Sequence, residues 1–348
     1  YEKQLEYKTR KVHDLLHKFA SIDIDVLPTI GLENPTRFRN KVQKPVRRDS
    51  KNPNRIVCGF YKKGTHDLVP IKDCIIETEL SNKISNVLIK LIIKYDYRPY
   101  DEDRQTGSIR HLLIKTSGEN KALVTLVSVT KKLPNIEEFS KELVTICPEV
   151  VGVVININKE KTNVILGNYD VSVYGQDHIS DTIFQNRFLI SPQSFYQTNS
   201  RQIEVLYGKA IEFAELKETD TVLDAYCGTG TIGLSFAKKV HGVIGVEINR
   251  NAIKDAIKNS LINDIHNAHF ERDDATDFMM NTNQKFDVII MDPPRKGSTL
   301  EFIQACKRIN PRTIVYVSCD PVTLARDLGL FKPEFEVKKV QPVDMFPM

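Results

Sequence analysis

The sequence has 348 residues, a net charge of +4 at pH 7, 41% hydrophobic residues and 27% charged residues. This composition is typical of globular proteins and excludes an intrinsically disordered chain or a fibrous repeat. The length predicts two domains, and no apolar run approaches the ~20 residues of a membrane-spanning helix.

Residues 1–27 predict an amphipathic connecting helix. Apolar side chains repeat with helical period along one stripe, and the basic side chains lie largely elsewhere. The stripe consists of Leu5, Val12, Leu15, Leu16 and Phe19.

The positive charge is concentrated between Pro35 and Lys63. This basic segment carries a net charge of +9 in 29 residues, so the rest of the chain carries −5. Its basic residues are Arg37, Arg39, Lys41, Lys44, Arg47, Arg48, Lys51, Arg55, Lys62 and Lys63. Phosphates of a nucleic acid are natural partners, and Phe38, Phe60 and Tyr61 offer stacking faces to unpaired bases. A solvated loop is the alternative, and the segment alone does not decide between them.

The remaining N-terminal half predicts a small antiparallel α+β domain, residues 28–186. Its expected elements are a helix around 84–92, strands Ile109–Thr116 and Ala122–Val129 joined as a hairpin, a helix Asn135–Val144 and a strand Val151–Ile157.

Residues 187–348 alternate between strands and helices, which predicts an α/β domain with a doubly wound, mainly parallel sheet. The expected strands are Thr221–Ala225, Gly242–Glu247, His269–Glu271, Phe286–Met291 and Thr313–Ser318. In such a fold the ligand binds at the carboxyl ends of the strands.

A glycine-rich turn follows the first of these strands. The run Asp224-Ala225-Tyr226-Cys227-Gly228-Thr229-Gly230 opens a GxGxxG pattern, so a dinucleotide is a legitimate candidate. However, Asp224 precedes the glycines, where a carboxylate repels a pyrophosphate and attracts the ammonium group of a methionine. The pattern therefore favours S-adenosylmethionine over NAD.

Two further strand ends carry acids. Glu247 is placed to accept both ribose hydroxyls, and Asp273 or Asp274 to accept the adenine amine. Any one of these acids has an ordinary explanation as a helix cap or loop residue, whereas together with the glycine turn they predict one cofactor site.

The last two strands end in Asp292-Pro293-Pro294-Arg295 and in Ser318-Cys319-Asp320. Carbon 5 of uracil is a poor nucleophile, but a thiolate added to carbon 6 produces an enolate that can take a methyl group, so Cys319 is a candidate nucleophile. For Cys227 and Cys306 we expect a structural role. Arg295 stands where cytosine-5 methyltransferases carry a cysteine and amino-group methyltransferases an aromatic residue, so uracil is favoured.

These residues resemble the uracil-5 RNA methyltransferase family, which forms 5-methyluridine in rRNA and tRNA. The resemblance rests on Ser194 to Asn199, Asp224 to Gly230, Asp292 to Arg295 and Ser318 to Pro321. It implies that Gln197, Tyr226, Glu247 and Asp292 contact S-adenosyl-L-methionine, which leaves as S-adenosyl-L-homocysteine. It also implies that Cys319 attacks the uracil ring and that Phe195 and Arg295 border the target pocket.

The central part of the chain is similar to the RNA-binding domain of bacterial enzymes that act on 23S rRNA. The similar runs are Arg39 to Val42, Gly59 to Lys63 and Ser108 to His111, and we expect Arg39, Lys41, Arg47 and Arg48 to contact RNA. We thus expect a cytoplasmic 23S rRNA methyltransferase with no membrane contact and no obligate protein partner. The alternatives are a tRNA uridine methyltransferase and a non-catalytic RNA-binding or chaperone module.

Three departures from the family pattern affect these expectations. The family's β-barrel RNA-binding domain has no counterpart before Tyr1, so we expect incomplete RNA affinity. Only Cys74 matches a ligand of the iron-sulfur cluster found in many relatives, so we expect neither a cluster nor another metal. The family's proton-abstracting Glu follows the counterpart of Pro342 to Pro347, and we expect this base to be missing from the sequence.

Overall fold

The structure is a computed structural model that describes residues 1–65, 67–161 and 164–348. Helix α1 spans Glu2–Ala20 and packs against the C-terminal part of the fold through the buried side chains of Leu16 and Ala20. The expected helix is present but ends at Ala20 rather than at residue 27. Phe19 does not belong to its buried face, because 51% of its surface is exposed.

A seven-stranded sheet forms the N-terminal half. Its elements are β1 (Lys41–Arg48), β2 (Ile56–Tyr61), β3 (Leu68–Pro70), α2 (Glu79–Lys94), β4 (Ile109–Thr116), β5 (Ala122–Ser128), α3 (Ile136–Ile146), β6 (Val150–Ile157) and β7 (Tyr169–Gly175). The strand order is β3-β2-β1-β4-β5-β6-β7, and α2 and α3 contribute Ile84, Leu88, Phe139 and Leu143 to its core.

The predicted β4–β5 hairpin is confirmed, but the sheet is not wholly antiparallel. Strands β5 and β6 are parallel, with Val124 opposite Val153. Helix α3 lies between them in the sequence, and a crossover helix is the connection that parallel neighbours need.

A two-stranded hairpin, β8 (Ile179–Ile183) and β9 (Asn186–Ile190), lies at the expected domain boundary. Phe188 and Ile190 belong to a core cluster that also contains Leu123 of β5 and Val222 of the C-terminal sheet. One continuous core runs across residue 186, so packing does not separate the two expected domains at this point. The domain boundary at residue 186 therefore stays a prediction.

The C-terminal half contains a five-stranded sheet whose strands are all parallel, in the order β12-β11-β10-β13-β14. Its elements are α4 (Ser200–Ala214), β10 (Thr221–Ala225), α5 (Thr231–Phe236), β11 (Gly242–Val246), α6 (Arg250–Ile262), β12 (Ala268–Glu271), α7 (Ala275–Asn281), β13 (Val288–Met291), α8 (Leu300–Ile309), β14 (Thr313–Tyr316) and α9 (Pro321–Phe331).

Separate apolar clusters cover the two faces of this sheet, which confirms the predicted doubly wound architecture. The order reverses at β10, because β11 lies on one side of it and β13 on the other. Ligands of such folds bind at this switch point, beyond the carboxyl ends of the strands. Among the described residues, no helix combines the length and apolar character needed to cross a membrane.

Candidate active site at the carboxyl edge of the parallel sheet

The register of the parallel sheet brings the predicted strand-end residues to one edge. Ala225 is paired with Val246 and with Met291, and Met291 is paired in turn with Tyr316. The residues that follow these positions therefore emerge side by side. They include Tyr226, Glu247, Asp292 and, slightly further along the chain, Cys319.

The glycine turn after β10 leaves open space beside its backbone. Tyr226, Gly228 and Gly230 all have positive φ angles, of 63°, 56° and 77°. A Cβ atom on Gly228 would meet no atom within 4 Å. Glu247 borders this space, because its Oε2 accepts a hydrogen bond from the Gly228 N–H at 3.2 Å. A carboxylate at the end of the second strand is the usual partner of ribose hydroxyls, so these residues fit the nucleoside part of S-adenosylmethionine.

Asp224 supports the glycine turn from within the protein. Its side chain is buried, and its Oδ2 accepts a hydrogen bond from the Gly233 N–H at 2.9 Å. Burial raises the pKa of this carboxyl to about 7, and the nearby Asp292 and Glu247 add to the increase. The predicted contact of Asp224 with a methionine ammonium group stays a prediction.

Asp274 has the helix-cap role that the sequence analysis named as the ordinary explanation for such an acid, and its predicted contact with the adenine amine stays a prediction. It is the N-cap of α7, where its Oδ1 accepts hydrogen bonds from the N–H groups of Thr276 at 2.8 Å and Asp277 at 3.3 Å. Asp273 is exposed next to it. The run Asp-Ala-Thr-Asp is a recognisable helix-start signal, since aspartate is among the preferred N-cap residues.

Tyr226 lies between the glycine turn and the loop after β13. Its ring packs 5.6 Å from that of Phe302, and its hydroxyl lies 3.4 Å from Ser298 Oγ. The Ser298 N–H donates to the buried carboxylate of Asp327 at 2.8 Å. Ser298 and Asp327, which the sequence analysis missed, therefore hold the loop that contains Asp292.

A cavity of about 830 Å³ runs along the outer edge of β14, between this strand and residues 336–346. Gln197, Asp292 and Cys319 are among its lining residues. The structure thus brings together three of the predicted site residues, one from the loop before α4 and two from strand ends.

The thiol of Cys319 is exposed, whereas Cys227 and Cys306 are buried, in agreement with the structural role expected for those two. Partial burial and the neighbouring Asp292 raise the pKa of Cys319, and Arg295 opposes them. On balance these surroundings disfavour the thiolate, which is the form that attacks a ring carbon. Burial also raises the pKa of Asp292, to about 7.

The two residues expected to border the target pocket are both on the surface. Phe195 is 61% exposed and follows the turn at Ser194. Arg295 is exposed, and its Nε donates to Asp320 Oδ2 at 3.4 Å. Each is accessible to a large substrate.

The basic segment is partly neutralised by ion pairs within the fold. Its paired residues and their partners are Arg37 with Asp73, Lys44 with Glu77, Arg47 with Glu102, Arg55 with Asp49 and Lys62 with Asp67. Lys44 is fully buried and cannot reach RNA. Arg39 donates to the Lys41 carbonyl, and Lys41 is half-buried, so their predicted RNA contacts are less accessible than that of the exposed Arg48.

Comparisons with known proteins identify the family of this chain. The sequence matches the model of the family described as tRNA (uracil-5-)-methyltransferase over residues 1–348. It is 43% identical to a Streptococcus mutans protein described as an uncharacterized RNA methyltransferase, over 100% of this chain and 78% of the relative. A Clostridium tetani protein of the same description is 41% identical over 99% of this chain and 76% of its own length.

A solved structure also resembles the whole chain. The tRNA (uracil-54, C5)-methyltransferase of Pyrococcus abyssi, in complex with S-adenosyl-L-homocysteine, superposes with a TM-score of 0.82. It is 26% identical, and the likeness covers 99% of this chain and 80% of that one. The chain therefore belongs to the tRNA (uracil-5-)-methyltransferase family and is an RNA methyltransferase that uses S-adenosyl-L-methionine.

Proposed function

We propose that this enzyme methylates carbon 5 of a uridine in 23S rRNA through a covalent adduct with Cys319. The observation that carries the proposal is the shared cavity in which an exposed thiol, Cys319, lies with Asp292 and Gln197. A cysteine is useful here because uracil needs a nucleophile at carbon 6 before carbon 5 can react.

The proposed reaction begins and ends with the free thiolate of Cys319. The Cys319 thiolate forms a bond to carbon 6, and the ring electrons move to carbon 5, which takes up a methyl group. Loss of the carbon 5 proton to a base, which the family resemblance implies is a glutamate after the counterpart of Pro347, then returns electrons to the ring, and the bond from sulfur to carbon 6 breaks. S-adenosyl-L-methionine supplies the methyl group from a positively charged sulfur.

The other site residues have supporting roles in the proposal. Gln197, Tyr226 and Glu247 contact the cofactor, and the exposed ring of Phe195 offers a stacking face to an unpaired base. Arg295, on the loop after β13, borders the same target base. Asp292 has a pKa of about 7, so it exchanges a proton near neutral pH beside the thiol.

The target uridine must leave its stack, because both ring faces are covered in a helix. The exposed ring of Phe195 suits a base presented in this way. We place the reaction in the cytoplasm, where ribosomal RNA is the substrate.

The choice of 23S rRNA rests on the resemblance of Arg39 to Val42, Gly59 to Lys63 and Ser108 to His111 to the bacterial enzymes with that substrate. A tRNA uridine is the second candidate. It is favoured by the description of the family and by the tRNA (uracil-54, C5) activity named for the Pyrococcus abyssi protein.

Incubation with a tritiated methyl donor and separate pools of unmodified rRNA and tRNA tests the proposal. We expect label in 23S rRNA, recovered as 5-methyluridine after digestion to nucleosides, and none with Cys319→Ala. Label in tRNA alone would replace the rRNA substrate by the second candidate, and label in a nucleoside other than 5-methyluridine would refute the reaction.

A further inference from the structure

The buried Lys115 lies outside both the cavity of Cys319 and the basic segment. Lys115 is located on β4 of the seven-stranded sheet and is 3% exposed. Burial lowers its pKa well below the usual value; Lys41 lowers it further, and Asp255 and Asp170 oppose the change. Burying a lysine side chain costs free energy unless its ammonium group has hydrogen-bond partners. The groups that Lys115 contacts therefore indicate its role.

The ammonium group of Lys115 holds both ends of a turn in the other half of the molecule. Its Nζ donates to the Ser191 carbonyl at 2.6 Å and to the Ser194 carbonyl at 2.8 Å. These carbonyls follow β9 and lie outside any strand. The turn also contacts the sheet through Gln193, whose Nε2 donates to Asp170 Oδ2 at 2.8 Å.

The far end of the same loop is held at a neighbouring point of the sheet. Asn40 Nδ2 donates to the Gln197 carbonyl at 3.0 Å and to Ser200 Oγ at 2.6 Å, and the Asn40 N–H donates to the Thr198 carbonyl at 2.9 Å. The Asn40 carbonyl in turn accepts a hydrogen bond from the Thr116 N–H at 2.8 Å, directly after Lys115.

Between these two points the loop exposes Phe195 and turns Gln197 to the cavity of Cys319. Asn40, Lys115 and Tyr196 border a cavity of only about 10 Å³, and Lys115 and Asn40 are both buried, so the contact is closely packed. A shift of the sheet end therefore displaces the loop as a unit, since packed interiors transmit strain.

We propose that Lys115 is a positioning residue for methyl transfer: with Asn40, it sets the loop that presents Phe195 to the base and Gln197 to the cofactor. This inference rests on the proposed function. Lys115 connects the N-terminal half, which contains the basic segment, to the reaction site through its hydrogen bonds to two carbonyls.

The test replaces Lys115 by methionine, which keeps the length of the side chain and removes the donors. We expect kcat to fall at least tenfold and the Kd of S-adenosylmethionine to rise several-fold, while the Kd for RNA changes less than twofold. The matched control is Tyr97→Phe, which removes a buried hydrogen bond to the Pro134 carbonyl of the same half and should change neither kcat nor the cofactor Kd.

Loop position can be measured directly, because the protein has no tryptophan. In a Phe195→Trp background, Lys115→Met should shift the emission maximum and increase quenching by iodide, and Tyr97→Phe should not. Should Lys115→Met fail to fold, Asn40→Ala provides the same readouts from the other end of the loop.

Unchanged emission and unchanged kcat in the folded variant would overturn the inference, as would equal decreases in kcat in Lys115→Met and Tyr97→Phe. The proposed function fails separately, because Cys319→Ala tests it without affecting the loop contacts of Lys115.

Discussion

At the scale of single residues, the surroundings of Cys319 determine when it can react. Partial burial raises the pKa of the thiol, and the negative charge of Asp292 raises it further, whereas the guanidinium of Arg295 lowers it. Only the thiolate is nucleophilic, so the reactive fraction of Cys319 increases with pH.

We expect Asp292→Asn to lower the pH midpoint for alkylation of Cys319 by iodoacetamide, because it removes the negative neighbour. Arg295→Gln should move that midpoint in the opposite direction. Mass spectrometry of the Cys319 peptide across a pH series measures both. A midpoint that rises in Asp292→Asn would show that the carboxyl does not act on this thiol.

The sequence could predict which residues reach the site edge, but not how each side chain is used. Parallel strands end at one edge, so Glu247, Asp292 and Cys319 were predictable from their positions after strands. The hydrogen bond from Gly233 to Asp224 was not, because it depends on how α5 packs over the turn. Lys115 offered one signal, a charged residue directly after the apolar run Leu112-Leu113-Ile114 of β4.

At the scale of elements, helical periodicity predicted α1 but not which part of its stripe is covered. Leu16 packs with Ala325 of α9, whereas Phe19, three residues along the same stripe, remains in solvent. How much of the stripe is buried depends on where α9 packs against α1, and the sequence of α1 alone does not specify this. The parallel β5–β6 pair escaped prediction for a similar reason, because strand direction is a tertiary property.

We expect Leu16→Ala to lower the free energy of unfolding by about 2–5 kcal/mol, since it removes a fully buried side chain and leaves a cavity. Phe19→Ala, on the same helix, is the control and should change it by less than about 0.5 kcal/mol. Chemical denaturation followed by circular dichroism measures both. Equal effects would mean that α1 is not docked through Leu16.

At the scale of the whole molecule, the sequence overstates the charge available to RNA. Five of the ten basic residues counted in the segment are ion-paired, one of them in the interior. The exposed charge that remains is concentrated around the turns that follow β1 and β2, and it includes Arg48, Lys51 and Lys63. Phe60 and Tyr61 are partly exposed on β2 beside it.

Charge reversal at Arg48 and Lys51 should weaken RNA binding at least tenfold and reduce the slope of log Kd against log salt by about 0.7 for each phosphate that is no longer neutralised. The same double reversal at Lys83 and Lys94, which pair with Glu149 and Glu142 on the helical side, is the control. Filter binding at several salt concentrations measures the effect. Identical slopes for the two double variants would assign the basic segment to the solvated-loop alternative.

The most direct test of the central claim is to trap the adduct between Cys319 and the target ring. With S-adenosyl-L-methionine and RNA containing 5-fluorouridine, carbon 5 carries fluorine in place of the proton that a base removes. Elimination is therefore blocked, and the bond from sulfur to carbon 6 persists. We predict a covalent RNA–protein complex that survives denaturation, maps to the Cys319 peptide, is absent in Cys319→Ala and is retained in Cys306→Ala. A complex of equal yield in Cys319→Ala, or no complex although 5-methyluridine forms on ordinary RNA, would contradict the account.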